Sequence, residues 1–269
     1  MLNWATLWIR IDTSIVNSIG GQPLFIHWHK KMLKALSSYY SQKGILPLDF
    51  RCQHLQSCSK GNDKFVEAKG AFVGIEYEKG TLPRLLFVSL DPGSSDPTPE
   101  RRTVEAVRIQ EEHDCDVEKL PKNRHWYRTH ELAYLLLKSF KTDLQIQNSH
   151  SYFAHVNSVK CCVNNENHRS ASPILFKNCQ KYLGGEIAIL EPDILVTQGK
   201  KAREAIRQSF KICEPLEDNT ICSHAWIFIA GKKVLWFHTY HPRNFGKFNQ
   251  QRHECFENWA KLIYQTFHK

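Results

Sequence analysis

The amino-acid sequence predicts an α/β fold, a three-layer α/β/α sandwich around a central, mostly parallel four-stranded sheet. Two patterns support this prediction: short apolar runs alternate with segments of helical periodicity, and polar or turn-forming residues end the apolar runs. The chain has 269 residues, of which 42% are hydrophobic, and this is enough for a substantial core. We expect an N-terminal helical extension over residues 1–50 and one α/β domain over residues 51–269.

Four apolar runs supply the predicted strands. Residues 84–90, RLLFVSL, form a short continuous run that is typical of a parallel strand covered on both faces. Residues 151–159 and 192–199 predict two further strands, and residues 224–240 predict a hairpin that ends just before HP at 241–242. Proline lacks the N–H group that pairing requires, so the last strand must end before Pro242.

Segments of helical periodicity lie between and around these runs. They cover residues 27–41, 130–140, 173–190, 200–210 and 250–269, and Pro173 stands where a proline commonly starts a helix. Ligands of open α/β sheets bind beyond the carboxyl ends of the strands, so the polar residues there should converge on one rim. These residues are Asp91, Asn157, Gln198 and His241.

The charge balance and the cysteine count narrow the possible functions. The chain has 36 Lys and Arg against 27 Asp and Glu, a net charge of +9, which favours a polyanionic partner such as nucleic acid. No apolar run approaches the roughly 20 residues that cross a bilayer, and the N-terminus lacks a secretory signal. We therefore expect a cytoplasmic, monomeric protein with no membrane association. In that reducing location, nine cysteines favour metal or cluster ligation over a disulfide framework.

Four segments resemble, in order and rough spacing, the uracil-DNA glycosylase superfamily, and most closely its iron–sulfur family 4. They are LLFVSLDPG, HVNSVKCCVNNENHR, CQKYLGGEIAILEPDILVTQGKKA and TYHP. The resemblance spans about residues 50–265. It implies an enzyme that flips uracil or a related deaminated base out of DNA and hydrolyses its N-glycosidic bond.

The resemblance also implies a [4Fe–4S] cluster held by four cysteines. The matching positions are Cys52, Cys58, Cys161 and Cys179, and four thiolates are what such a cluster requires. The first pair is more widely spaced than is usual in the family, and Cys162 is an alternative third ligand. A zinc site and inert buried thiols are the other interpretations. The remaining cysteines are expected to be structural or free: Cys115, Cys213, Cys222 and Cys255.

The resemblance assigns the chemistry to Asp91 and His241. Cleavage of an N-glycosidic bond develops positive charge on the sugar and negative charge on the leaving base, so an anion and a donor are needed. Asp91 would position water and stabilise the sugar, and His241 would stabilise the departing base. Leu90 stands where family 4 usually has a glutamate, although Asp91 matches the aspartate of the family-1 loop. Taken alone, Asp91 would be an ordinary turn residue and His241 a packed strand-end histidine.

Further residues are expected to contact the substrate. Asn157 matches the residue that recognises the base edge, and Trp126 or His125 is expected to stack on the flipped base, although Trp126 equally suits packing ahead of a helix. The loop residues Pro92, Gly93 and Ser94 should lie against the substrate, with Ser95 near phosphates. The residues expected to contact DNA are Lys160, Arg243, Phe245 and Lys247.

Three functions remain open on the sequence. The first is a glycosylase that acts on a deaminated base in DNA. The second is a nucleic-acid-binding protein that keeps the fold and the cluster but has lost catalysis, which Leu90 and the insertion at about 94–123 would explain. The third is a metal-binding scaffold unrelated to DNA. Asp91 together with His241 favours the first.

Overall fold

A computed structural model describes residues 31–93, 96–114, 116–122, 124–164, 171–214 and 221–268. The helices are α1 (Lys31–Gln42), α2 (Leu55–Ser59), α3 (Ile75–Lys79), α4 (Val104–Asp114), α5 (His125–Leu137), α6 (Pro173–Leu190), α7 (Lys200–Ser209) and α8 (Phe245–Phe267). The strands are β1 (Ile45–Leu46), β2 (Asp49–Phe50), β3 (Phe65–Val66), β4 (Phe72–Val73), β5 (Leu85–Ser89), β6 (Phe153–Asn157), β7 (Cys162–Val163), β8 (Ile194–Gln198), β9 (Lys211–Glu214), β10 (His224–Ile229) and β11 (Lys232–Thr239).

The main sheet has seven strands in the order β4-β6-β5-β8-β11-β10-β9. The four central strands, β6, β5, β8 and β11, are parallel to one another. The outer pairs are antiparallel, β4 with β6 on one side and β10 with β11 and β9 on the other. The expected mixed α/β fold is confirmed, but the expected number of four strands is wrong. The short edge strands β4 and β9 are too brief to give a sequence pattern of their own.

The central strands are apolar because both of their faces are covered. All five residues of β5 and all five of β8 are buried. Leu86 and Val88 face a core that includes α1, α6 and α7, whereas Leu85 and Phe87 face a second core that includes α5 and α8. Alternate residues of one strand thus serve opposite layers, which gives the predicted sandwich its three layers.

The N-terminal part of the described chain joins the first of these cores. Leu33, Leu36 and Tyr40 of α1 are buried there. The predicted boundary between residues 50 and 51 stays a prediction. Residues 1–30, which include the start of the helix expected over 27–41, lie outside the described residues, as do Ser94, Ser95 and Cys115. Among the helices that the structure describes, none has the length and apolar character needed to cross a bilayer.

A disulfide bond between Cys222 and Cys255 ties the segment before β10 to α8. The same contact is reinforced by Gln251 of α8, whose amide group donates to the backbone oxygens of Ile221 at 2.7 Å and of His238 at 2.9 Å. The side-chain oxygen of Gln251 also accepts the backbone N–H of Tyr240 at 3.0 Å. These bonds fix the end of β11, and therefore the start of the loop that follows it.

Candidate active site

The carboxyl ends of the four parallel strands form one polar rim. Asn157 is the last residue of β6, and Gln198 is the last residue of β8. Asp91 lies two positions beyond the end of β5, and His241 lies two positions beyond the end of β11. Strand register brings these ends level, because Asn157 is paired with Ser89 at the end of β5, and Gln198 with the last residue of β11. The predicted convergence of strand ends therefore occurs.

Asp91 is held in a tight turn. Its Oδ1 atom accepts the backbone N–H of Gly93 at 2.8 Å. Gly93 has φ +64°, a left-handed conformation that favours glycine, and among the described residues other than its chain neighbours no atom lies within 4 Å of the position that a Cβ would occupy. The half-buried Pro92 between them completes the turn. The loop therefore presents a carboxylate at the rim and leaves open space beside it.

The ring of His241 is oriented by the loop that follows it. Its Nδ1 atom accepts the backbone N–H of Arg243 at 3.1 Å, so the neutral ring carries its hydrogen on Nε2. Burial and the Arg243 guanidinium lower the pKa of His241, and the Asp91 carboxylate opposes them. His241 is therefore a neutral donor through Nε2–H at pH 7.

The backbone at Gly199 leaves room for His241. A Cβ at Gly199 would lie 3.2 Å from the Cβ of His241, closer than side chains normally approach. Gly199 also has φ +98°, which a residue with a side chain rarely adopts. Glycine is thus required at position 199, both by its backbone conformation and by packing against His241 at the rim.

Asn157 presents an unsatisfied hydrogen-bond acceptor. The residue is 8% exposed, and its Oδ1 atom is buried with no hydrogen-bond partner in the described part of the chain. Leaving a buried acceptor unpaired costs about 1–3 kcal/mol. An arrangement of this kind is expected where a ligand supplies the missing donor.

A buried hydrogen-bond network lies beneath the rim. The Ser89 hydroxyl donates to Gln198 Oε1 at 2.8 Å and lies 2.8 Å from His155 Nε2 and 3.2 Å from His125 Nε2. The amide group of Gln198 in turn donates to the Thr129 hydroxyl at 3.0 Å. Since the hydroxyl proton of Ser89 is directed at Gln198, the two imidazoles act as donors toward its oxygen. The network ties β5, β6 and β8 to the first turn of α5.

Sequence reasoning missed most of this network. Ser89 and His155 stand inside runs interpreted only as strands, and Thr129 just ahead of a predicted helix. A usable signal existed: His155 and Asn157 are two positions apart, so both side chains lie on the same face of β6. Polar residues that alternate in an otherwise apolar buried strand indicate a polar site on that face.

His125 rather than Trp126 reaches the rim. The rings of His125 and His241 lie 5.2 Å apart, and burial, followed by the charges of His241 and Arg243, lowers the pKa of His125 to about 3. Trp126 instead donates its indole N–H to Glu111. Its ring packs edge-on against Phe72, Phe153 and His155, with centroids 5.2 to 6.0 Å apart.

The residues expected to contact DNA fall into two groups. Arg243 and Lys247 are exposed, and Phe245, 43% exposed, is the first residue of α8 directly beyond the His241 loop. Lys160 is only 1% exposed, and its ammonium group forms a buried ion pair with Glu186. This is a correction to the sequence prediction, because a lysine in that position cannot reach a phosphate.

The four cysteines predicted as ligands come together on the other face of the sheet. Cys161 and Cys179 share a hydrogen bond, which together with burial and the neighbouring thiols of Cys52 and Cys58 raises the pKa of Cys161. Hydrogen bonds from Cys161 and from the Lys160 backbone N–H lower the pKa of Cys179 to about 7. Segments far apart in the sequence thus place four thiols in one neighbourhood.

Cys162 lies in a different environment. It is 1% exposed, its thiol donates to Asn164 at 3.8 Å, and it also shares a hydrogen bond with the Arg102 side chain. Cys161 belongs to the same buried core cluster as Cys58 and Cys179, whereas Cys162 does not. Within the described residues, no group of three or more His, Cys, Asp or Glu side chains is arranged to hold a metal ion.

The fold and the rim define a mixed α/β protein with a polar site at the carboxyl ends of its parallel strands. The family model described as the uracil DNA glycosylase superfamily matches residues 80–263. The match covers more than half of the chain, and the chain belongs to this superfamily. No curated protein matches the chain. Membership supports a DNA glycosylase-type function in general, with DNA as the partner.

Proposed function

We propose that this protein is a DNA glycosylase that excises uracil or a related deaminated base by hydrolysis of the N-glycosidic bond. The observation that supports it best is the composition of the rim. One carboxylate, one neutral imidazole N–H donor and one unpaired amide oxygen meet there, at Asp91, His241 and Asn157. These are the groups that a charge-separated cleavage of a base from a sugar requires.

Asp91 and His241 would act on opposite ends of the breaking bond. As the bond between C1′ and the base nitrogen breaks, its electron pair leaves with the base and C1′ becomes cationic. The Asp91 carboxylate stabilises that cation and orients the water that adds to C1′; this water gives up one proton, and the departing base anion takes up one from solvent. The Nε2–H of His241 donates to the oxygen on which the negative charge of the departing base develops. Because His241 is already neutral, it stabilises this anion as a hydrogen-bond donor.

Asn157 would select the base. Deaminated bases share a ring N–H next to a carbonyl, whereas cytosine and adenine have an unprotonated ring nitrogen next to an amino group. The unpaired Oδ1 of Asn157 can accept the ring N–H, and its amide group can donate to the carbonyl. Cytosine or adenine would leave the buried oxygen unsatisfied, and sites of this kind discriminate strongly, whereas guanine and thymine carry the same ring N–H beside a carbonyl and are not rejected by the amide. The amide by itself does not separate uracil from hypoxanthine or xanthine.

His125 would form one wall of the base pocket, because its neutral ring lies beside that of His241 at the rim. Trp126, expected from the sequence to stack on the base, would support this wall from behind through its contact with His155. Arg243, Phe245 and Lys247 would meet the DNA around the flipped nucleotide.

We also propose that Cys52, Cys58, Cys161 and Cys179 hold a [4Fe–4S] cluster. The proposal rests on the chemistry of the donors, because four cysteine thiols are what such a cluster takes and the lowered pKa of Cys179 favours a thiolate; the described thiols are not arranged around a metal position, so cluster binding would have to draw them together. A bound cluster would supply iron–thiolate bonds that cross-link distant segments of the chain. The hydrogen bond from Asn178 to the Cys58 sulfur, 3.3 Å, would orient one ligand.

A catalytically inactive DNA-binding protein is the second candidate, since Leu90 replaces the usual glutamate. The side chain of Leu90 packs against the core on the α1, α6 and α7 side, and its backbone oxygen accepts the N–H of Val159 at 2.7 Å. Position 90 therefore has a structural role here, and Asp91 is the carboxylate available for chemistry. This contact favours the active enzyme.

The experiment is base release by purified protein from matched oligonucleotides that contain uracil, hypoxanthine or xanthine at one position. Oligonucleotides with cytosine or thymine at that position are the controls. We expect release from at least one deaminated substrate and none from cytosine. Binding of all the oligonucleotides without release of any base would reject the enzyme in favour of the second candidate.

A further inference from the structure

A cavity of about 550 Å³ lies between α5 and α8, apart from the residues of the rim. Its lining is mainly basic. Lys138 and Lys261 are exposed there, Arg252 is half-buried, and His253 adds a titratable ring. Among the lining residues Glu257 is the one carboxylate, and it pairs with Lys261 at 3.1 Å. The cavity therefore carries a net positive charge and suits an anionic ligand.

The floor of the same cavity is apolar and aromatic. Phe256 is buried, and Leu135 and Tyr264 are half-buried. Tyr264 is held in place by two rings: His268 stacks on one of its faces with centroids 4.2 Å apart, and Phe140 lies tilted against it at 5.3 Å, so a base would have to use the other face. Basic side chains around a fixed aromatic surface are the combination that binds single-stranded nucleic acid, since phosphates meet the cations and bases stack on the ring.

A basic path connects this cavity to the rim. Positions 124, 128, 131, 135 and 138 recur every three or four residues, so they lie along one side of α5. Arg124 is exposed next to His125 at the rim, and Arg128 follows one turn later. Arg128 and Arg252 both pair with Glu131, at 2.7 and 2.9 Å, so one positive charge is in excess. At about 1.5 Å per residue, the path from position 124 to 138 is about 21 Å long.

We propose that the groove between α5 and α8 binds a single-stranded segment of DNA that flanks the nucleotide held at the rim. The phosphates contact Lys138, Lys261 and Arg252, and a base packs on Tyr264. The inference rests on the proposed function, because a nucleotide held at the rim is what would lead the DNA strand from the rim into the groove. An acidic peptide would satisfy the cations but would use neither the aromatic floor nor the continuity with the rim.

The test measures binding of single-stranded DNA without deaminated bases, so that turnover plays no part. The double variant Lys138→Gln/Lys261→Gln removes two exposed cations of the groove. Its matched control, Lys31→Gln/Lys34→Gln, removes the same charge from exposed positions of α1, which packs on the opposite face of the sheet. Each phosphate contact to a single strand contributes about 0.7 to the slope of log affinity against log salt.

The groove variant loses two contacts, so we expect the magnitude of its slope to be about 1.4 smaller than that of the wild type. If the two proteins bind alike at 1 M salt, the variant should bind about 25-fold more weakly than the wild type at 0.1 M salt. The control should change little. Photocrosslinking of 5-iodouracil DNA should label α8 near Tyr264. Equal slopes for both variants would overturn the proposal, as would an acidic peptide that needs the groove while DNA does not.

Base release from a short uracil oligonucleotide separates this proposal from the proposed function. On a substrate too short to span the roughly 21 Å from the rim to Lys138, the groove variant should release base at the wild-type rate, because only the unchanged rim then holds the DNA. If the wild type releases no base but its DNA binding depends on the groove, the proposed glycosylase activity is refuted and the proposed DNA-binding groove is supported. If base is released and the two variants bind DNA alike, the proposed DNA-binding groove is refuted and the proposed glycosylase activity is supported.

Discussion

Asp91→Asn changes one charge in the candidate active site and preserves its shape. Asp91 Oδ1 accepts the Gly93 N–H at 2.8 Å, and the side-chain oxygen of an asparagine can accept the same bond, so the turn is retained. What the variant loses is negative charge where the sugar becomes cationic. Preorganised groups of this kind contribute about 10²–10³ in rate, about 2.7–4 kcal/mol. We expect turnover to fall by this factor while DNA affinity stays nearly constant, since the charge acts in the transition state.

The pH profile gives a second readout of the same variant. Asp91 raises the pKa of His241, against the lowering by burial and by Arg243. The proposed chemistry needs neutral His241, so activity is lost as the pH falls through that pKa. In Asp91→Asn the opposing carboxylate is gone and the pKa of His241 falls further. The acid limb of the residual activity should therefore move to lower pH.

The assay is single-turnover release of base from a labelled uracil oligonucleotide, with binding measured separately. Asp96→Asn is the matched control, because Asp96 is an exposed carboxylate of the same loop that hydrogen-bonds Thr98 and Arg101, each at 2.9 Å. The control should cleave at the wild-type rate. His241→Ala combined with Asp91→Asn should cost less than the sum of the two single losses, since both serve one charge-separated state. An Asp91→Asn variant as fast as the control would show that Asp91 only forms a turn.

Three further predictions concern the cluster, the DNA face and the core. Anaerobically purified protein should be brown with about four irons per chain, and Cys179→Ala should remove both colour and iron; a colourless, folded wild type would contradict the cluster. Phe245→Ala should slow cleavage of duplex DNA more than of single strands, because an exposed wedge replaces the flipped base only in a duplex; equal losses would indicate mere packing. Lys160→Met should lower the free energy of unfolding, measured in urea, by about 3–5 kcal/mol, because Glu186 then stays buried without a cation. The double variant Lys160→Met/Glu186→Gln should recover part of this loss. A loss below about 1 kcal/mol in Lys160→Met would refute a buried charge pair.

The rim was predictable because a strand end is a local property of the sequence. An apolar run followed by Asp-Pro-Gly or His-Pro marks its own end, so β5 and β11 could be located without knowledge of their neighbours. Given parallel strands, the convergence of Asp91, Asn157, Gln198 and His241 then follows from topology alone. The same reasoning could not predict how many strands the sheet has. The two residues of β4 become a strand only because β6 supplies hydrogen-bond partners for them.

The surroundings of each side chain could not be predicted in this way. Lys160 follows a strand end and has a basic side chain, which favours a DNA contact, but Glu186 lies 26 positions later on α6 and pairs with it in the core. His125 and Ser89 meet across 36 positions through helix packing. Pairings between elements set the environment of a polar residue, whereas the sequence pattern sets only its place along its own element.

The two sides of the rim are held in place by different structures. On one side, the pairing of β6 with β5 places Asn157, and just beyond it the backbone N–H groups of Ser158 and Val159 donate to the backbone oxygens of Ser89 and Leu90. On the other side, His241 depends on Gln251, which bonds the last residues of β11, and on the disulfide that ties α8 to the segment before β10. Loosening of α8 would therefore displace His241, the proposed donor to the leaving base, and leave in place Asn157, the amide proposed to recognise the base. Since Phe245 begins the same helix, a DNA strand that contacts α8 would also act on the position of His241.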